Sequence, residues 1–303
     1  MSAWNLWVWF HPWLGPFAEF GFMRNALLGC VLLCVSAAPV GVFLMLRRMS
    51  LMGDAMAHAI LPGAAIGYLI AGLSLGAMTV GGIAAGLVVA VGSGLVARHT
   101  VLREDASLSA FYLLSLALGV LIVSTRGNSV DLLHVLFGTV LALDPPTLAL
   151  LAAIAGITLI TMAVIRRPLV LDCLDPSFLR GSSRWSAVAH YGFLGLLVIN
   201  LVAGFHALGT LMAVGMMVLP AATARLWVRG LVQLLLTSTG LALLASVCGL
   251  LISYHADWPT SPVIVLSLGG VYLISMFVAP HGLLRHERPA SFHLQARLPR
   301  GSS

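Results

Sequence analysis

Asp54 and His58 stand four residues apart in RRMSLMGDAMAHAILPGAAIGY, residues 47–68, and of the ten acidic residues Asp54 alone sits well inside an apolar segment. On a helix that spacing puts both side chains on one face, converging on a common point. A carboxylate oxygen beside an imidazole nitrogen is a ligand pair suited to Zn²⁺, Mn²⁺ or Fe²⁺. The same two groups also suit a purely structural hydrogen bond inside a helix bundle, and spacing alone does not choose. An unpaired carboxylate at membrane depth costs on the order of 3 kcal/mol, so a partner for Asp54 is required either way. Transition-metal sites take three or more ligands. Asp257, with His255, in SYHADWPTSP is the best available completion, although a loop of that composition is ordinarily only a turn. His134, His190 and His206 are weaker candidates, placed where a histidine usually just satisfies a hydrogen bond.

The residues around the pair predict an interrupted helix. Pro62 removes a backbone donor and Gly63 loosens the chain, so the segment breaks near its middle, as spans do where transporters place substrate. Pro220, in the small-residue run ALGTLMAVGMMVLPAATAR, predicts a second break. Helical rise from Arg48 puts Asp54 only about 9 Å beyond the basic edge of its segment.

The elements that must position these residues are membrane helices. The 303 residues are 60% hydrophobic and 9% charged, where a soluble domain carries roughly a quarter charged. Apolar segments fall at about 22–46, 50–72, 76–97, 106–124, 146–165, 185–204, 206–228, 231–253 and 261–279. Each is long enough to cross ~30 Å of hydrocarbon, where only helices or closed barrels satisfy the backbone. Period-two alternation is absent, so the fold class is all-α, a polytopic bundle of eight or nine spans in a plasma or bacterial inner membrane.

The net charge of +6 does not point to nucleic acid, because the sixteen basic residues are all arginine and lie singly or in pairs between apolar segments. The positive-inside rule then places all of them except Arg24 and Arg126 on the cytoplasmic side. This topology obliges VDLLHVLFGTVLAL, residues 130–143, to return to the side it leaves, as a re-entrant piece. Residues 1–21, with four tryptophans, suit an interfacial segment, and 285–303 form a basic tail. Cys30, Cys34, Cys173 and Cys248 form no CxxC pair and are read as small buried hydrophobes. The longest interruption, residues 166–185, contains DPSFLRG, in which Asp175 can cap, Pro176 can start and Gly181 can end a short helix. Such a helix is ordinarily a connector; as a docking surface it would offer Phe178 and Leu179 as apolar knobs.

There is no GxxxxGK[ST] loop and no lysine to serve one, so the chain does not itself hydrolyse ATP by that route. Neither GxSxG nor HExxH is present, which leaves a membrane metalloenzyme without a visible nucleophile or base. A secondary metal-ion transporter is compatible with the same features.

The stretch 47–68 closely resembles the signature of the ABC-3 family of bacterial zinc, manganese and iron import permeases. Further agreement follows in order: FMRNALLG within 16–29, LFGTVLAL at 136–143, DPSFLRG at 175–181, GTLMAVGMMVLPAATAR at 209–225 and DWPTSPVIVL at 257–266. The resemblance implies a permease domain over 22–284, working as a homodimer with a separate cytoplasmic ATP-binding subunit and an extracytoplasmic metal-binding protein. It implies that 175–181 is the coupling helix, and that Asp54, His58 and Asp257 form a transient site for a transported ion, with no cofactor held permanently. PTSP stands where the family's late turn commonly has glycine. A permease for chelated iron is the remaining alternative within the same fold.

Overall fold

A computed structural model describes residues 15–72, 74–101, 104–125, 140, 143–174 and 185–282. Among the described residues a short helical stretch at 15–19 is followed by ten helices: α1 Gly21–Leu46, α2 Leu51–Ala59, α3 Leu61–Ala71, α4 Leu75–His99, α5 Glu104–Thr125, α6 Pro145–Leu174, α7 Trp185–Leu208, α8 Thr210–Trp227, α9 Leu231–Ala256 and α10 Thr260–Val278. With α2 and α3 counted as one broken span, nine helices among the described residues are long and apolar enough to cross a membrane. The expected segments match these closely, because about 20 apolar residues in lipid have no alternative to the helix.

Side-chain contacts fix the direction of each span. Asn25, near the start of α1, donates to the Leu143 carbonyl just before α6 at 3.3 Å, and Phe20 lies 5.8 Å from Tyr254 near the end of α9. Ser261, at the start of α10, donates to Leu208 at the end of α7 at 2.8 Å. The opposite end gathers Arg47, Arg48, Arg225 and Arg229, with His281 N–H bonded to the Leu226 carbonyl at 3.2 Å. That basic end is the cytoplasmic one. α5 ends and α6 begins at the outer end, in keeping with the expected parity; the re-entrant piece itself, with His134, lies outside the described residues except for Val140 and Leu143. Residues 1–14, the coupling segment 175–181 and the tail 285–303 also lie outside them.

α1, α7 and α8 form the centre of the bundle, with Cys30, Leu33, Phe193, Leu197, Met212 and Met216 no more than 1% exposed. Cys30 and Cys34 are buried hydrophobes, as expected, whereas Cys248 is exposed. At Gly41 a side chain would collide with the Met217 carbonyl, so the glycine sets how closely α1 and α8 approach. Asp144, placed to cap α6, accepts from the Thr147 N–H at 3.3 Å and from its hydroxyl. The Thr147 hydroxyl holds the Asp144 carboxyl below its ordinary pKa.

Two expectations are corrected. The span expected to stop at 165 continues as helix through Pro168 to Leu174, because Ile165 and Leu169 stay buried and Asp172 forms an ion pair with Arg47. Pro220 does not break α8, which runs unbroken from Thr210 to Trp227 with Pro220 buried inside it. Packing on both sides holds the helix through the missing bond.

Candidate metal-transport site

Asp54 and His58 lie on α2, and their Oδ1 and Nε2 atoms are 3.9 Å apart. That is beyond hydrogen-bond distance, and the side chains remain 68% and 36% exposed respectively. The pair is thus on one face and open to a ligand rather than closed on itself.

Its depth agrees with the shallow value expected by counting from Arg48. A Cβ on Gly53 would meet Leu44 of α1 at 3.5 Å and Val218 of α8 at 3.9 Å. Leu44 lies just before Arg47, and Val218 is about 10 Å of helical rise before Arg225, so Asp54 sits in the cytoplasmic half of the bundle. In the turn between α1 and α2, Arg48 is left-handed at φ 60°. Arg47 anchors this turn: it bonds Asp172 of α6, and its guanidinium carbon stands 4.5 Å from the centre of the Phe193 ring on α7. The two charged side chains are only 5% and 12% exposed. Sequence reasoning assigned Asp172 to a loop and missed this pair; the apolar run LVLDCL around an acid was the signal.

The expected interruption is present nearly two turns after Asp54, as a single residue, Ile60, whose own dihedrals stay helical at φ −76° and ψ −27°. α2 gives way to α3 at Ile60, just before Pro62. Ser115 of α5, which the sequence did not single out, donates to the Ala59 carbonyl at 2.9 Å. A neighbouring hydroxyl thereby satisfies backbone exposed by the break. Gly63 has a different part from the one expected. A side chain there would collide with the Gly81 carbonyl, and one at Gly67 with the Ala77 carbonyl. The Gly63-x-x-x-Gly67 stripe presses α3 onto α4 at backbone contact. Before the break, α2 packs on α5, as α3 also does, and in addition on α7 and α8. The two halves share α5 and differ mainly in these added neighbours, and Asp54 and His58 are on the half next to the bundle's centre.

Asp257 and His255 are elsewhere, at the outer end of α9. Asp257 caps the helix in the left-handed conformation, φ 54° and ψ 36°, and is exposed. Ser253 fixes this corner, donating to the Trp258 carbonyl at 2.7 Å with Thr260 Oγ1 2.8 Å away. His255 is held through Nδ1, 2.8 Å from the Leu251 carbonyl. Among the described residues, no three His, Cys, Asp or Glu side chains gather as a metal site. His190 and His206 lie on α7, where His206 Nδ1 is 2.9 Å from the Val202 carbonyl.

A polytopic helical bundle with an interrupted span is the architecture from which membrane permeases are built. The profile of the ABC 3 transport family matches residues 19–279, and the chain belongs to that family. ScaB, a manganese import system permease protein of Streptococcus parasanguinis, is 33% identical over 86% of this chain and 92% of its own. YfeD, a chelated iron transport system membrane protein of Yersinia pestis, is 31% identical over 86% of each. Among solved structures, PsaBC from Streptococcus pneumoniae in complex with Fab matches with a TM-score of 0.77 and 30% identity, covering 89% of this chain and 96% of that one. The chain is a membrane-spanning permease subunit of an ATP-binding-cassette importer in the bacterial plasma membrane.

Proposed function

We propose that the cargo is a divalent transition-metal ion, manganese or iron, held briefly by Asp54 and His58 on its way inward. The observation that carries this reading is the open pair at 3.9 Å beside the helix interruption. Two ligands from one chain make a weak site, which suits transport because a tightly held ion does not leave. A homodimer would bring a second such face and raise the ligand count. Asp257 and His255 contribute ligands on the same route, at its outer mouth.

The names of ScaB and YfeD favour manganese or iron over zinc. A separate cytoplasmic ATP-binding subunit supplies the hydrolysis for which this chain has no phosphate loop, docking on Asp175, Pro176, Phe178, Leu179 and Gly181. An extracytoplasmic metal-binding protein delivers the ion. ATP-driven movement at the docking segment, directly after α6, reaches the ligand pair through Arg47 and Asp172 and opens the span about Ile60 and Pro62.

Chelated iron is a second reading, favoured by the likeness to YfeD. Uptake of Mn²⁺, Fe²⁺ and Zn²⁺ into liposomes holding the permease with its ATPase and binding protein decides among these. ATP-dependent accumulation of a bare ion supports the proposal. Accumulation without the ATPase points to a secondary transporter, and accumulation of only a complexed ion supports the chelate.

A further inference from the structure

A second site lies away from the transport face, at the cytoplasmic end of the bundle. α6 and α9 pack on opposite flanks of α1 but hardly on each other, and the gap between their cytoplasmic halves is a cavity of about 470 Å³. That volume is within the roughly 300–1,000 Å³ usual for ligand pockets. Its walls are apolar, with Phe43 and Leu46 of α1 behind and Leu234 of α9 beside, and its rim carries Arg48, Arg225 and Arg229. Arg229 also stands 3.3 Å from His281 Nδ1. Among the described residues no acidic side chain forms an ion pair with these three arginines, and Asp172, next to the cavity-lining Cys173, is bound to Arg47.

The cavity also takes in the N-terminus of α9. Leu231 lines it, and Gly230 provides no side-chain cap. The first amides of a long helix therefore point into the same region with their positive dipole end. Three guanidiniums and an uncapped helix start call for an anion, while the deep apolar wall calls for hydrocarbon. One ligand class has both parts. We propose that this cavity binds an anionic phospholipid of the cytoplasmic leaflet, phosphate at the arginine rim and acyl chain against α1 between α6 and α9.

The surroundings favour lipid over a protein side chain. The flanking surfaces are exposed and apolar, with Val164 and Leu171 on α6 and Val232 and Leu236 on α9 between 46% and 70% exposed. A positive-inside distribution alone accounts for arginines near this end; it does not account for their convergence on an apolar recess at a helix N-terminus.

Native mass spectrometry of the purified permease, alone and with its ATPase, tests the assignment with dioleoylphosphatidylglycerol, dioleoylphosphatidylcholine and glycerol phosphate as probes. Phosphatidylglycerol is expected to be retained in preference to phosphatidylcholine, and the preference to fall about tenfold or more in Arg225→Gln/Arg229→Gln. Leu234→Trp, which keeps every arginine but fills the apolar wall, is expected to lose retention as well. Equal retention of both lipids, or a preference unchanged in both variants, overturns the proposal. Displacement by glycerol phosphate at matched concentration overturns it in favour of a free-phosphate pocket, and loss of the lipid on adding the ATPase overturns it in favour of a protein contact.

Discussion

The bundle holds two acid-containing polar pairs near α2 that are built in opposite ways. Arg47 and Asp172 join α1 to α6 with side chains 5% and 12% exposed, and Phe193 covers the guanidinium. Asp54 and His58 share one helix, stand 3.9 Å apart and are 68% and 36% exposed. A sealed pair neutralises its own charges and fixes backbone, even with the Arg47 Nε left without a hydrogen-bond partner; an open pair leaves its lone pairs for something that comes and goes. Burial and closure, rather than charge inside an apolar stretch, separate the structural acid from the functional one.

Four substitutions sharpen that contrast, in falling order of effect. Asp54→Ala/His58→Ala should abolish ATP-driven metal uptake while leaving the thermal unfolding midpoint nearly unchanged, because both side chains are substantially exposed. Asp172→Ala should do the reverse first: stability in detergent falls by roughly 3–5 kcal/mol, the usual result of stranding one buried charge, with flux lost only through unfolding or a displaced α2. Removing the hydroxyl in Ser115→Ala should lower stability by about 1 kcal/mol, measured by thermal unfolding, because the Ala59 carbonyl at the break loses its 2.9 Å partner. The smallest change belongs to Asp144→Asn, far from both pairs. The Asp144 pKa is lowered in the fold, so its contribution is present above the ordinary carboxylate pKa and disappears as pH falls through the lowered one. The Asn variant should therefore resemble the parent at low pH and fall slightly below it near neutrality, in unfolding midpoints taken across pH.

Most of the fold was legible because lipid leaves so few choices. Each ~20-residue apolar run became a helix, and arginine placement oriented them. Asp54 and His58 stood out for the same reason: an acid and a histidine four apart in an apolar run are conspicuous. What the sequence hid were relations between distant spans. Nothing local to Asp172 says that Arg47 meets it, so a helix that continues to Leu174 looked finished at the arginine pair 166–167. Gly63 illustrates the limit best: its freedom suggested a loosened helix, whereas the structure uses its missing side chain to let α3 touch α4. Pro220 was read by its propensity alone, and tertiary packing overrode it.

The account's central claim is that the open pair on α2 handles the transported ion. The most direct test is ATP-dependent uptake of Mn²⁺ and Fe²⁺ into liposomes containing the permease with its ATPase and binding protein, comparing the parent with Asp54→Ala/His58→Ala at equal reconstituted amount. Uptake by the parent of at least one of these ions, and none above background by the variant with its ATP hydrolysis intact, is the predicted result. Parent-like flux through the doubly substituted permease would contradict the assignment and place the route elsewhere in the bundle.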